Sequence, residues 1–303
     1  MGKFTQTLRC DGYLRIKISG VVSFPDTPGK GSALGNRGAS DHLASMSTEP
    51  EGIPAATIVI FRNAGEGEPP EILMTVRSRA MVFAGGMAVF PGGRVDEADF
   101  DLAERVSSTA NIAVDEAAHQ IAAIRETLEE TGLALGLSGQ ITAENAAAAR
   151  RMLEEKGALA PVLDAFDWTI DFAQIVPFAR WYPKNEKLSR VYDTRFYLAD
   201  LGTGAVEIEV DATENTRLFW TTAQGALDMA ERGEIKLIFP TRRNLERLAQ
   251  FASFDEARAQ AEAIPVRTIT PFMGERDGTS WLEIGEGLGY PVTGEPLDRV
   301  ARG

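Results

Sequence analysis

The chain has 303 residues, 44% of them hydrophobic and 25% charged, which is enough for one large or two small globular domains. A net charge of −13 argues against nucleic acid or an anionic membrane surface as a partner, since both need a basic face. One cysteine excludes an internal disulfide framework, and two histidines make a His/Cys zinc site a poor fit.

Residues 1–45 carry six Lys/Arg against three Asp/Glu, so the remainder holds a net −16. Their Pro, Gly, Ser and Asp content between 23 and 41 reads as a disordered tail. A short strand at Tyr13–Val22 is the competing reading. Met46 precedes STEPEGIPAATIVIF and is the expected true start; the segment before it has no apolar core of a signal peptide. No run of about 18 apolar residues occurs, and the single Cys10 fits a reducing cytoplasm.

Ala56–Arg62 and Glu71–Arg77 are β-rich runs joined by NAGEGEPP, a hairpin, and Met87–Phe90 is a short strand entering the turn Phe90-Pro91-Gly92-Gly93. A helix follows, capped by Asp115, with Glu116 in its first turn and Gly132 at its end. Ala117, Ile121, Ile124 and Leu128 form its apolar stripe. Leu133–Leu137 begins a strand, and Glu144–Glu155 is an alanine-rich helix. Ile175–Trp181, Arg190–Leu198, Val206–Val210 and Leu218–Trp220 are strands. Thr221-x-x-Gln224 opens a helix that stops at Gly233, and Thr241, after Pro240, caps another through Gln250. A short helix at Phe254–Ala263 and two weak strands, Val266–Pro271 and Ser280–Ile284, complete the chain. Interleaved strands and helices mean α/β layers.

The stretch RETLEETGL, Arg125–Leu133, carries the chemistry. Glu126, Glu129 and Glu130 fall within roughly 100° on the helix face opposite the apolar stripe. Acids three and four apart repel one another, and a hard divalent cation with oxygen ligands, magnesium or manganese, would offset that cost. On its own, a glutamate cluster of this kind is more often a solvated helix face. Two neighbours favour the metal: Arg125 can brace Glu129 one turn on, and the glycine turn lets backbone approach closely.

These residues resemble the Nudix box, G-x(5)-E-x(7)-R-E-U-x-E-E-x-G-U. Gly93 opens it, Asp99 stands where the glutamate belongs, Thr127 replaces the first aliphatic residue, and 25 residues separate Asp99 from Arg125 in place of 7. The resemblance covers roughly 54–250, with an insertion at 100–117. It implies a Nudix α/β/α sandwich with a mixed sheet and a C-terminal α+β extension, 251–303, packed on it. It further implies a metal-dependent diphosphatase acting on a small nucleotide derivative. Glu126 and Glu130 would be the principal metal ligands with the Gly93 carbonyl; Glu129 would be a third ligand or the base, with Arg125 beside it. Asp99 would brace the box.

Leu73-Met74-Thr75-Val76-Arg77-Ser78 leading to Gly86-x-x-x-Phe90-Pro91-Gly92-Gly93 is similar to the signature of coenzyme A diphosphatases, with Val82 in place of its second arginine. With RVYDTRFYLAD (190–200) and the split box, it resembles the long-insert branch that includes peroxisomal acyl-coenzyme A diphosphatases. That implies cleavage of coenzyme A to 3′,5′-ADP and 4′-phosphopantetheine, with Arg77, then Arg94 or Arg195, on the 3′-phosphate. Phe83, Trp181, Tyr182 and Phe196 could stack a base or fill the core. Glu214 could add a ligand or be surface charge. The rivals are ADP-ribose, nucleoside diphosphate sugar and dinucleotide diphosphatases, or a non-catalytic Nudix-fold nucleotide-binding module. A homodimer is compatible with these features.

Overall fold

A computed structural model describes residues 52–65, 67–78, 84, 86–184, 190–202 and 215–300. The expectations for the tail, Met46, Val82, Phe83, Glu214 and Val206–Val210 lie outside them. Strands β1 (Ile53–Arg62), β2 (Glu71–Arg77), β3 (Ala88–Val89) and β4 (Gly92–Arg94) precede helices α1 (Glu97–Ala110) and α2 (Val114–Thr131). Then come β5 (Leu137–Ser138), α3 (Ala143–Lys156), α4 (Leu159–Phe166), β6 (Thr169–Ile170), β7 (Val176–Trp181), β8 (Tyr192–Asp200) and β9 (Asn215–Thr222). Helices α5 (Ala223–Glu231), α6 (Phe239–Leu248) and α7 (Phe254–Ala263) are followed by β10 (Thr268–Ile269), β11 (Phe272–Arg276), β12 (Thr279–Glu283) and β13 (Gly294–Pro296).

The main sheet runs β10-β7-β8-β1-β2-β3 and is mixed: β1 and β8 are parallel over nine registered pairs, while β1–β2 and β7–β8 are antiparallel. Alternation on β1 divides the core. Ala56, Ile58 and Ile60 face α1–α4, whereas Val59 and Phe61 face α5–α7. This is the expected three-layer α/β/α sandwich. Strand β1 also splits its free edge. Its far end pairs with β2 at Phe61 and Arg62, and its near end pairs with β4 at Ala55, Ala56 and Thr57. The glycine turn is thereby drawn into the sheet.

Several local expectations differ. The box helix starts at Val114 with Ala113 as its N-cap, because the chain reverses at Asn111 (φ 53°); Asp115 lies in the first turn and pairs with Arg195 instead. Leu133–Leu137 is not a strand: the left-handed Gly136 (φ 71°) bends it, and only Leu137–Ser138 pairs, with β6. The next-to-last cap is Thr222, not Thr221, since β9 runs through Thr222 and its Oγ accepts from the Gly225 N–H. Helix α6 begins before Thr241, with Ile238 as N-cap and Pro240 in the first turn, where its fixed φ suits the helix. The 100–117 insertion is mostly helix, since α1 packs along α2. In the C-terminal extension β10 adds to the main sheet, and β11-β12-β13 form a second sheet. Gly132 ends α2 as expected, at φ 77°, its N–H donating to the Leu128 carbonyl.

Candidate functional site

The three box carboxylates come together at the split in the sheet. Helix α2 buries Ile121, Ile124 and Leu128 against β1, which turns Glu126, Glu129 and Glu130 toward β4. At Gly93 there is no room for a side chain, because a Cβ would collide with the Glu126 carboxylate. Gly92, at φ 152°, lies so close to the Ala56 carbonyl that a Cβ is excluded there as well, and its N–H donates to Glu130 Oε2 at 3.2 Å.

Arg125 organises the cluster. It is buried inside the helical layer, and burial opposes its charge. Glu126, Asp99 and Asp96 outweigh that and hold its pKa above the ordinary value. Its Nε donates to Asp99 Oδ1 at 3.0 Å and its Nη2 to Asp99 Oδ2 at 3.0 Å. Nη2 also reaches the Arg94 carbonyl at 2.8 Å. Nη1 contacts Glu126 Oε1 at 2.8 Å and Glu129 Oε2 at 3.3 Å. Asp99 is 1% exposed and also accepts from the Asp96 N–H, closing a capping box at the start of α1. The two halves of the split box therefore meet in space. The inserted residues leave as α1 and return as the first turns of α2, so Asp99 stays beside Arg125 across 26 positions.

A cleft of about 530 Å³ opens here. The acids, Gly92 and Gly93 form one end. Phe90, Phe196, Trp181, Tyr192 and Ile238 supply apolar wall, and Arg77, Arg94 and Arg190 supply cations. Among the described residues no three His, Cys, Asp or Glu groups close around an ion as they stand. The donor set nevertheless fits a hard cation: three carboxylates on two successive helical turns with backbone carbonyls nearby, all oxygen.

The other anticipated residues divide. Arg77 and Arg94 line the cleft; Arg94 is largely exposed and 4.0 Å from Asp96. Arg195 does not. Side chains alternate along β8, so Arg195 sits on the sheet face opposite Phe196, with its Nη1 2.6 Å from Glu116 Oε2 and its Nη2 against Asp115. Burial alone would raise the Asp115 pKa, but Arg195 lowers it below the usual value. Tyr197 O–H donates to Glu116 as well, at 3.0 Å, and burial pushes that phenol well up. Phe196 lines the cleft. Trp181 is a core residue at 1% exposure, its indole N–H donating to Tyr290, and the Tyr182 ring lies against Gly52. Asp96, Tyr192, Thr194 and Arg190 also line the cleft and were not singled out in the sequence. The period-two pattern of RVYDTRF was the available signal for the last three.

The sequence model of the NUDIX domain matches residues 52–239. The chain belongs to the Nudix family. A NUDIX hydrolase from Alicyclobacillus acidocaldarius has a similar structure at 26% identity, with a TM-score of 0.59 over 69% of this chain and 96% of that one. An Ap4A hydrolase binary complex from C. elegans aligns at 16% identity and a TM-score of 0.33, over 70% of this chain and 96% of that one. The NUDIX domain of Shewanella oneidensis NrtR, complexed with ADP ribose, aligns at 11% and 0.35, over 65% and 82%. No curated protein matches the chain in sequence. Family and fold together identify it as a Nudix hydrolase, a class that works with divalent metal cations.

Proposed function

We propose that this Nudix hydrolase cleaves the diphosphate of a coenzyme A compound, releasing 3′,5′-ADP and the (acyl-)phosphopantetheine. The observation that carries the hydrolytic part is the meeting of Glu126, Glu129 and Glu130 with Gly93 at one end of the cleft, held by the Asp99–Arg125 pair. Glu126 and Glu130 are the residues that would hold magnesium or manganese, with Glu129 and the Gly93 carbonyl near enough to contribute. A divalent ion there supplies neutralisation of phosphate charge and a more acidic bound water.

The chain's own groups do the rest. Arg125 bridges Glu126 and Glu129 through one nitrogen and fixes both carboxylates at the cleft. Of the two glutamates that Arg125 contacts, Glu129 has the more exposed side chain, 37% against 15%, and the longer bond to Arg125, so it is the group assigned to take the proton from water. The water oxygen bonds to one phosphorus, the bridging P–O bond breaks, and its electron pair leaves on the departing phosphate monoester. Support for coenzyme A comes from the Leu73–Gly93 signature and the long insertion.

The test is Glu130→Gln, assayed against coenzyme A, acetyl-coenzyme A, ADP-ribose, NADH and diadenosine polyphosphates with phosphate detection. Turnover should fall at least about 10²-fold through lost charge stabilisation, with the circular dichroism spectrum unchanged. Magnesium- or manganese-induced thermal stabilisation should shrink in parallel. A wild-type rate in the variant overturns the ligand assignment. Turnover of ADP-ribose in preference to coenzyme A overturns the substrate.

A further inference from the structure

One face of the β8 region presents Arg190, Tyr192, Thr194 and Phe196 to the cleft, every second residue. The opposite parity is committed elsewhere: Asp193 to Arg180 at 2.8 Å, and Arg195 to Glu116 and Asp115. The cleft-facing row is roughly 20 Å long, six steps along the chain at about 3.3 Å each. At its inner end Phe196 meets Phe90 edge-on, with ring centroids 6.4 Å apart, next to the glycine turn. At its outer end stands Arg190, exposed, and among the described residues no hydrogen bond or ion pair engages its side chain. Its position is fixed all the same, since the next residue, Val191, is buried and its carbonyl accepts from the Ile53 N–H at 2.7 Å.

Two of the other cleft arginines have local acids. Arg125 is saturated by Asp99, Glu126 and Glu129, and Arg94 faces Asp96. Arg190 is also far from the acid end. Ile53 pairs with Tyr192 and Ala56 with Gly93, which puts Arg190 five residues along β1 and two strand spacings across from Gly93. For straight strands that is roughly 19 Å between backbones, longer than an arginine can reach. One diphosphate group cannot touch both ends, whereas a diphosphate followed by a nucleoside can.

We propose that Arg190 grips a second phosphate, a monoester on the nucleoside end of the substrate, one nucleoside away from the bond that is cut. The ligand class is a nucleotide that carries a phosphomonoester besides its diphosphate. An arginine fork matches such a group with two parallel hydrogen bonds. Tyr192 and Thr194 lie between it and the acid end, where the nucleoside would run. This inference rests on the diphosphatase reading only for the position of the scissile bond.

Calorimetric titration with 3′,5′-ADP and with 5′-AMP tests it on the wild type, Arg190→Gln and Arg190→Lys. The wild type should bind 3′,5′-ADP at least about tenfold more tightly than 5′-AMP, a usual worth for a charge-assisted contact. Arg190→Gln should erase that preference and leave the 5′-AMP affinity within about twofold; Arg190→Lys should keep part of it. In turnover, Arg190→Gln should raise KM for coenzyme A and not for 3′-dephospho-coenzyme A, with kcat unchanged. No preference in the wild type, or a preference that survives in Arg190→Gln, overturns the proposal. If coenzyme A is cleaved but Arg190→Gln is silent, this inference alone falls. If the Arg190-dependent preference is found but no diphosphate is cleaved, the inference stands and the diphosphatase reading falls.

Discussion

Asp99→Asn tests the physical link that reunites the split box. The substitution keeps the shape and leaves one oxygen for the Asp96 N–H, but it removes the negative charge that Arg125 meets through both Nε and Nη2. Removing one partner of a buried pair costs about 3–5 kcal/mol. Arg125 retains Glu126, Glu129 and the Arg94 carbonyl, so part of that is spared and about 2 kcal/mol is the expected loss. For a domain of this size that corresponds to a fall in Tm of roughly 4–8 °C. Urea denaturation at pH 7 measures it as a lower midpoint with unchanged slope. Catalysis should suffer too. With Asp99 neutral, Arg125 is drawn further onto Glu126 and Glu129, and misplacement of those carboxylates should lower kcat about 10- to 100-fold. An unfolding free energy within about 0.5 kcal/mol of wild type together with an undiminished kcat would refute the claim that Asp99 positions Arg125.

Arg195→Gln tests strand parity: KM for any substrate should stay within about twofold, while stability falls by about 1 kcal/mol, a discounted figure because Asp115 is mostly exposed. A tenfold rise in KM without loss of stability would place Arg195 in the cleft after all. Glu246 offers a pH test. Burial pushes its carboxyl up to about 7 from the ordinary 4.5, with Arg243 and Arg242 opposing and Glu295 and Glu231 adding to the shift. The folded state therefore holds the proton more tightly than the unfolded chain. Its stabilising contribution is complete below about pH 4.5, declines as pH rises toward 7, and is gone above it. Glu246→Gln, which preserves an acceptor for Arg243, should flatten that decline and gain about 1–2 kcal/mol at pH 8 relative to wild type. A wild-type denaturation midpoint that is constant from pH 5 to 8 would contradict it.

Helical and strand periods carried most of what could be read in advance. The apolar stripe Ala117–Leu128 and the acid face opposite it are local facts of one helix, and the glycine turn announces itself by residue type. Trp181 was harder to place. In the sequence it is an aromatic near a strand end, suited either to stacking or to core. Tyr290, 109 residues later, decides the matter by taking its indole N–H and donating its own hydroxyl to Asn244 at 2.7 Å. The boundaries of α2 and α6 shifted for related reasons: a chain reversal at Asn111 and a proline-compatible first turn outweighed the polar residues nearest each start.

What the amino-acid order determined by itself was short in range: three glutamates on one side of a helix, an arginine among them, and a bend that admits no side chain. Such features repeat every 3.6 or two residues and need no knowledge of distant partners. The tertiary structure decided which distant groups those features meet. It brought Asp99 to Arg125 across a helical detour, turned Arg195 away from the cleft, and left Arg190 at its mouth. Sheet register sets these pairings, and a shift of one residue would exchange the faces of β8.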